Sequence, residues 1–405
     1  MLLRCLAFLV IFAPHAVAYN EQAIGEQVTR SLYASPQRVD DPILLSAASR
    51  LLTPIHQASS LREQPITLVL LRNPELNAFA APGGVMGLHT GLFSLAQSSD
   101  QVASVIAHEL AHISQRHFAR RMNNNSKIQA AYLAGAIAAI VAGVAGDPTL
   151  GTAALSTTQA AAIDQALTYS REHEREADRV GLQLLEQAGF DGRGMANMFE
   201  TMLASQRLSS QPLAYLSSHP LSSERVADSR GRAGAGGNET RKISPAEFDW
   251  WQRLASDSAP EDSMEQILSQ TQPMSRLRYQ REVRYWIRQG EWEQARIRLA
   301  EGLLGYPRDY ALILYQARIA AQQRPQNAFR HFETAAQQHP YFAQPYIEAR
   351  ELARQLNWQP EFYYYGGWAA QRSGDPQAAQ QHWAEVAKMD TPLAGPARAL
   401  LNLEN

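Results

Sequence analysis

Hydrophobic and polar positions follow three rhythms along the chain. Between 20 and 60, Ile43, Leu44, Ala47, Leu51 and Leu52 recur at helical spacing, which predicts an amphipathic helical region. Ile66 to Leu71 is a short apolar, β-favouring run. Asn77 to Ala80 and Val85 to Leu88 are two more strand candidates, broken by the turn signal Pro82-Gly83-Gly84. Helical spacing returns at Ser98, Ser99 or Asp100, whose short polar side chains suit an N-cap, and predicts a helix to about Met122 that Asn123-Asn124-Asn125 stops. A second helix is predicted from about Ile163 to Ala188, closed by Gly189 in the C-terminal capping position.

The segment between these helices, Ala130 to Gly146, is dominated by alanine and glycine. It is barely long enough for a bilayer, and its small side chains carry little transfer energy. Three readings stay open: a helix or lid packed near the site, a segment touching a membrane, and a flexible insertion.

Gly231 to Asn238 is glycine-rich and Ser256 to Ser263 is polar, and one of them marks a domain boundary. Beyond it nearly every segment is amphipathic and helical, with a weak internal repeat. Gly290-Glu-Trp-Glu-Gln-Ala295 is echoed after 33 residues by Gln323-Arg-Pro-Gln-Asn-Ala328, Pro307 by Pro340, and Gly374-Asp-Pro-Gln-Ala-Ala379 adds another match. A period near 34 residues points to tetratricopeptide repeats, with generic helical hairpins as the alternative. The C-terminal aromatics, Tyr363, Tyr364 and Tyr365 among them, read as repeat core, some of it open to a peptide groove. The expected fold class is α+β, mostly α: a domain over 19–255 with a small sheet and a metal helix, then an all-α, tetratricopeptide-like domain over 264–405.

At 405 residues with 45% hydrophobic positions the chain is long enough for two or three domains with real cores. A net charge of -2 speaks against nucleic acid as a partner. Residues 1–18 read as a secretory signal peptide: Arg4 supplies the positive start, Cys5 to Ala13 are almost wholly apolar, and Ala16-Val17-Ala18 gives a small-x-small cleavage pattern. The apolar part is short for a retained anchor, and Cys5 lies ahead of most of it, against a lipoprotein. Cleavage would remove the only cysteine, leaving no disulfide, thiol ligand or thiol nucleophile. A bacterial periplasmic location fits best.

The chemistry sits in His108-Glu-Leu-Ala-His112. Residues four apart share a helix face, so two imidazoles can meet one cation, with Glu109 beside it to take a proton from water. Imidazole and carboxylate ligands suit Zn²⁺, and a catalytic site needs a third protein ligand with one position left for water. Ser170-Arg-Glu-His-Glu174-Arg-Glu-Ala-Asp178 supplies it: Glu174 and Asp178 point the same way, and Ala177 and Gly181 permit close helix packing. Glu174 is the third ligand of choice. Glu172, His173 and Glu176 compete for the role but read as a solvated charged face. Asp178 is placed to accept the free N–H of a ligand histidine or to stabilise a proton during turnover. His89 and His117 read as structural or surface residues.

These two motifs, preceded by Asn77-Ala-Phe-Ala and Gly83-Gly-Val-Met-Gly-Leu-His-Thr-Gly-Leu-Phe, resemble the gluzincin peptidases related to the CAAX prenyl protease and the heat-shock protease of bacterial membranes. With its export signal and repeats, the chain is similar to the secreted, tetratricopeptide-bearing members. The resemblance implies one Zn²⁺ per chain held by His108, His112 and Glu174, with Glu109 as catalytic base and Asp178 as an assisting acid. It also implies endopeptidase action on unfolded or misassembled envelope proteins. The repeats would then dock clients or the outer-membrane protein assembly machinery. Ser217-Ser-His219-Pro220-Leu-Ser-Ser-Glu-Arg225 resembles a recurring His-Pro and Arg element of the same family. His219 is thereby a candidate fourth ligand, plugging the site at rest, or an oxyanion donor, and Arg225 a brace for Asp178 or the oxyanion. The alternative function is a chaperone or assembly factor that acts mainly through its repeats. A membrane-embedded peptidase would require residues 130–146 to span a bilayer.

Overall fold

The computed structural model describes residues 21–123, 170–208, 213–234, 243–256 and 263–403. The expected signal peptide and the 130–146 segment lie outside the described residues. Among those described, no helix is long and apolar enough to cross a membrane.

The predicted helical region near the N-terminus is two helices, α1 (Glu21–Ala34) and α2 (Pro42–Ala58). Asp41 caps α2 by accepting from the amides of Ile43 and Leu44, and Pro42 takes the first helical position, where its missing N–H costs nothing. The three strand candidates are all strands: β1 (Thr67–Leu71), β2 (Ala78–Ala81) and β3 (Val85–His89). They form one sheet in the order β1-β3-β2, with β1 parallel and β2 antiparallel to β3. Gly83 and Gly84 turn β2 into β3 at φ 74° and 77°, a region that glycine enters freely. The outer side of β1 is covered: Val39 N–H donates to Leu70 O at 2.9 Å and Leu68 N–H to Tyr341 O at 3.0 Å. β2 is left at the sheet's edge.

After the short α3 (Thr90–Leu95), Ser98 caps α4 (Ser99–Ser114) through the Gln101 amide. This helix stops earlier than the sequence pattern predicts. Arg116 takes φ 52°, a left-handed conformation that costs a residue with a Cβ about 1 to 3 kcal/mol. The chain restarts as α5 (His117–Asn123) in a new direction. The second long helix, α6 (Arg171–Gln187), begins at the Ser170 cap and closes at Gly189, φ 85°. Its predicted first turns, 163–169, lie outside the described residues. Gly181 lets α6 lie against α4, since a Cβ there would come within 3.1 Å of the His108 backbone. Four helices complete this part: α7 (Arg193–Leu208), α8 (Ala214–Ser218), α9 (Ser223–Arg232) and α10 (Pro245–Ala255).

From residue 264 the described structure is all helix. α11 (Met264–Gln270) leads into helix pairs joined by short connections: α12 (Arg276–Arg288) with α13 (Trp292–Gly305), and α14 (Tyr310–Gln323) with α15 (Pro325–Gln338). Then come α16 (Gln344–Gln355) with α17 (Gln359–Arg372), and α18 (Pro376–Ala387) with α19 (Ala394–Leu403). The first helices of successive pairs start at Arg276, Tyr310 and Gln344, 34 residues apart. This half is continuous with the rest, because one apolar core runs from α2 and α4 into α14 and α15. Polar contacts span the same junction: Ser46 donates to Asp309 at 3.0 Å, and Ser49 Oγ and His339 Nδ1 lie 2.8 Å apart.

Candidate metal centre

His108 and His112 leave one face of α4 and meet Glu174 from α6. The segment between α8 and α9 adds His219, so that one donor atom from each of the four lies within 4.8 Å of all the others. His108 Nε2 is 3.0 Å from His112 Nε2 and 3.3 Å from His219 Nδ1. Glu174 Oε1 lies 3.3 Å from His112 Nε2 and 3.1 Å from His219 Nδ1. Each of the four is at most 2% exposed. Converging lone pairs this deeply buried need a shared cation or shared protons, and the titration pattern follows. Burial pulls His108 down, but Asp178 and Glu174 outweigh it and push the imidazole up to about 10. His112 goes the other way, held well below its ordinary value by burial and then by the charges of His108 and His219, despite Glu174. Glu174 is buried too, yet His219, His108 and His112 keep it well below the usual carboxylate range.

The residues present fit a metal ion. Three imidazoles and one carboxylate are a donor set for Zn²⁺ or a similar borderline ion. Glu109, fully buried beside them, has one oxygen, Oε2, without a hydrogen-bond partner among the described residues. An orphaned acceptor at such a place is where water held by a cation would deliver a proton.

Asp178 stands behind His108 rather than among the four. Its Oδ1 is 3.0 Å from His108 Nδ1, so it fixes the ring with Nε2 facing the cluster. Arg225 grips the same carboxylate, Nε to Oδ2 at 2.6 Å and Nη2 to Oδ1 at 2.8 Å, and its Nη1 reaches Pro220 O at 2.6 Å and Glu174 Oε2 at 2.8 Å. Burial opposes ionisation of Asp178, but Arg225 and His108 lower its pKa below the ordinary value. A carboxylate so engaged is a strut between His108 and Arg225.

Sequence reasoning misjudged one face of α6 and missed one residue. His173 and Glu176 are not a plain solvated face: His173 stacks on His117 with centroids 4.5 Å apart, and Glu176 Oε2 lies 3.1 Å from His117 Nε2. Glu172 does remain exposed. His117 is fully buried, its Nδ1 lies 3.0 Å from His112 Nδ1, and burial pushes its pKa down to about 4. His89 is buried as well, away from the cluster. The missed residue is Tyr215, whose hydroxyl donates to Glu109 Oε1 at 3.1 Å and whose ring stacks on His219 at 4.5 Å. Burial, with the charges of Glu109 and Glu174, raises its pKa well above the ordinary phenol value. Its signal was an aromatic residue one helical turn before the His219-Pro220 pair.

Comparison with known proteins agrees with this centre. Residues 46–233 match the model of peptidase family M48. The chain is 36% identical over 215 residues to the β-barrel assembly-enhancing protease of Escherichia coli K12, covering 53% of this chain and 44% of that protein. The Yersinia pestis protein of the same name is 34% identical over 214 residues, again 53% of this chain and 44% of the relative. The mitochondrial metalloendopeptidase OMA1 of Schizosaccharomyces pombe is 30% identical over 178 residues, 44% of this chain and 50% of that protein. The chain thus spans about half the length of these curated relatives. All of the clustered residues fall inside the stretch that matches peptidase family M48.

Proposed function

We propose that the protein is a zinc metalloendopeptidase that hydrolyses unfolded or misassembled polypeptides of the bacterial envelope after export to the periplasm. One observation carries the reading: buried His108, His112 and Glu174 converge on one point, with the partnerless oxygen of Glu109 beside it. His108, His112 and Glu174 would hold the ion, with His219 as a fourth donor at rest. When bound, Zn²⁺ supplies a Lewis acid that polarises a peptide carbonyl and acidifies water. Glu109 takes the proton released by attacking water at Oε2 and passes it to the departing amine. Asp178 and Arg225 hold His108 and Glu174 in position.

An extended substrate has an edge to pair with in β2. A cavity of about 590 Å³ lies beside that strand, lined by Ala80, Ala81, Gly84, His112, Ile113 and Phe118. The paired helices after residue 264, read as tetratricopeptide repeats, would dock clients or the outer-membrane assembly machinery and raise the local client concentration. Two curated relatives are named for β-barrel assembly, which supports this setting.

The test is metal content and casein digestion by purified protein, with and without a chelator, beside Glu109→Gln. The reading expects about one zinc per chain, digestion lost on chelation, and a Glu109→Gln protein that keeps its zinc and does not cut. A wild type without bound metal, or Glu109→Gln with full activity, would sink it. A protein whose cellular effect survives Glu109→Gln is instead a scaffold acting through its repeats.

A further inference from the structure

Metal-ligating histidines need both ring nitrogens accounted for: one offers its lone pair to the ion and the other carries a proton that something must accept. For His108 the acceptor is Asp178. For His112 the Nδ1 contact is with another imidazole: it faces the Nδ1 of His117 at 3.0 Å. We infer that His117, with Glu176 and Arg120, forms a proton-fixing relay that positions His112 as a ligand, an inference that rests on the metal-centre reading above.

The relay follows from donor and acceptor matching. For Nε2 of His112 to present a lone pair to the cluster, its Nδ1 must carry the proton and donate it to His117 Nδ1. That nitrogen accepts only if the His117 proton sits on Nε2. The required acceptor is there: Glu176 Oε2 lies 3.1 Å from His117 Nε2. Arg120 Nη1 donates to the same oxygen at 2.7 Å and keeps the carboxylate ionised. With the opposite tautomer of His117, two N–H groups would face each other or His112 would turn its proton into the cluster, blocking the ion. His173, stacked on His117 with the planes 12° apart, holds the ring in place.

The backbone is bent to achieve this. On a continuous helix, a residue five positions beyond His112 would point well away from it. Arg116, at φ 52°, ends α4 and swings His117 back over the His112 ring, and the Arg116 side chain is anchored on Glu21 at 2.7 Å. α6 thereby supports both ligand histidines, His108 directly through Asp178 and His112 through Glu176 and His117. His117 is a positioning residue in this scheme.

Metal affinity, measured by competition with a chromophoric chelator, tests the relay without reference to turnover, with the melting temperature of the metal-free protein as the fold control. His117→Leu removes the acceptor and should weaken zinc about 10- to 100-fold. His117→Asn keeps an oxygen near the Nδ1 position and should recover most of that loss, a rescue that a merely space-filling role would not give. Glu176→Ala, at a partly exposed side chain, should weaken zinc several-fold and covers the case in which His117→Leu does not fold. The relay is overturned if Glu176→Ala binds zinc as wild type does, or if a folded His117→Leu matches wild type or is matched by His117→Asn. A wild type that binds no zinc would instead remove the metal-centre reading itself.

Discussion

Arg225 offers the most direct test of how the centre is held. Its side chain is buried and grips Asp178 with two nitrogens, while a third reaches Glu174 Oε2 at 2.8 Å. The guanidinium also lies over the Phe199 ring, 5.1 Å from its centroid. Arg225→Met keeps much of the packing but leaves two buried carboxylates facing each other across His108. Removing one partner of a buried pair costs about 3 to 5 kcal/mol, and here His108, lying between the two carboxylates, compensates part of the charge left behind, which sets the expectation at the lower end. The loss should therefore reach about 3 kcal/mol in urea unfolding of the metal-free protein. It should be smaller with zinc bound, since the ion neutralises Glu174. Asp178→Asn removes one of the stranded charges, so the double variant should be less destabilised than the two single costs predict, by more than about 1 kcal/mol. The pH window follows from the sign of the shift. Asp178 has a folded pKa below its ordinary value of 3.8, so the pair's contribution is complete above that value and is lost as pH falls through the lower folded one. The cost of Arg225→Met should accordingly stay level from about pH 8 to pH 5. A cost below about 1 kcal/mol, or strict additivity with Asp178→Asn, would refute this account of the strut.

Two further predictions address the cover over the site and a titrating group away from it. His219→Ala, which withdraws the fourth donor, should raise casein digestion several-fold at unchanged metal content; no rise argues against latency, and a loss identifies His219 as a transition-state donor. His89 is buried and its pKa is pushed down to about 4 by burial, which outweighs a backbone contact at Glu75. Its contribution to stability is full above the unfolded value near 6.5 and is lost as pH falls from there through about 4, roughly 3 kcal/mol in all. His89→Gln should flatten the urea-midpoint curve of the metal-free protein over that range, and an unchanged curve would show that His89 is not a source of the slope.

Local rules made part of this legible in the sequence. The spacing of His108 and His112, and of Glu174 and Asp178, is a helical-face argument, and both pairs do share a face on α4 and α6. Ser98, Ser170 and Gly189 mark helix ends because capping is chemistry within a few residues. The break at Arg116 was not legible, since the residue is not glycine and the motif reads as one helix through it. What the strained turn gains is visible only in three dimensions, where His117 meets His112 and Glu176. Tyr215 was missed for a related reason: its partner Glu109 is 106 residues away.

α2 carries a second lesson, about how the two halves share their work. Its apolar stripe was read as a single face, yet Ser46, Ser49 and His56 are buried on the helix and answered from the later half by Asp309, His339 and Tyr341. Polar residues recurring at helical spacing beside an apolar face mark a helix covered on two sides. α2 packs on α4 on one side and on α14 on the other, so the helix bearing His108 and the paired helices are separated by a single layer. Ending the chain after Ser263 would uncover that layer, turning apolar side chains of α2 to water and removing the partners of Ser46, Ser49 and His56. Such a truncation would confuse loss of docking with loss of fold. Substitutions at exposed positions of the paired helices, such as Leu304 at 88% exposure, leave α2 covered and probe docking alone.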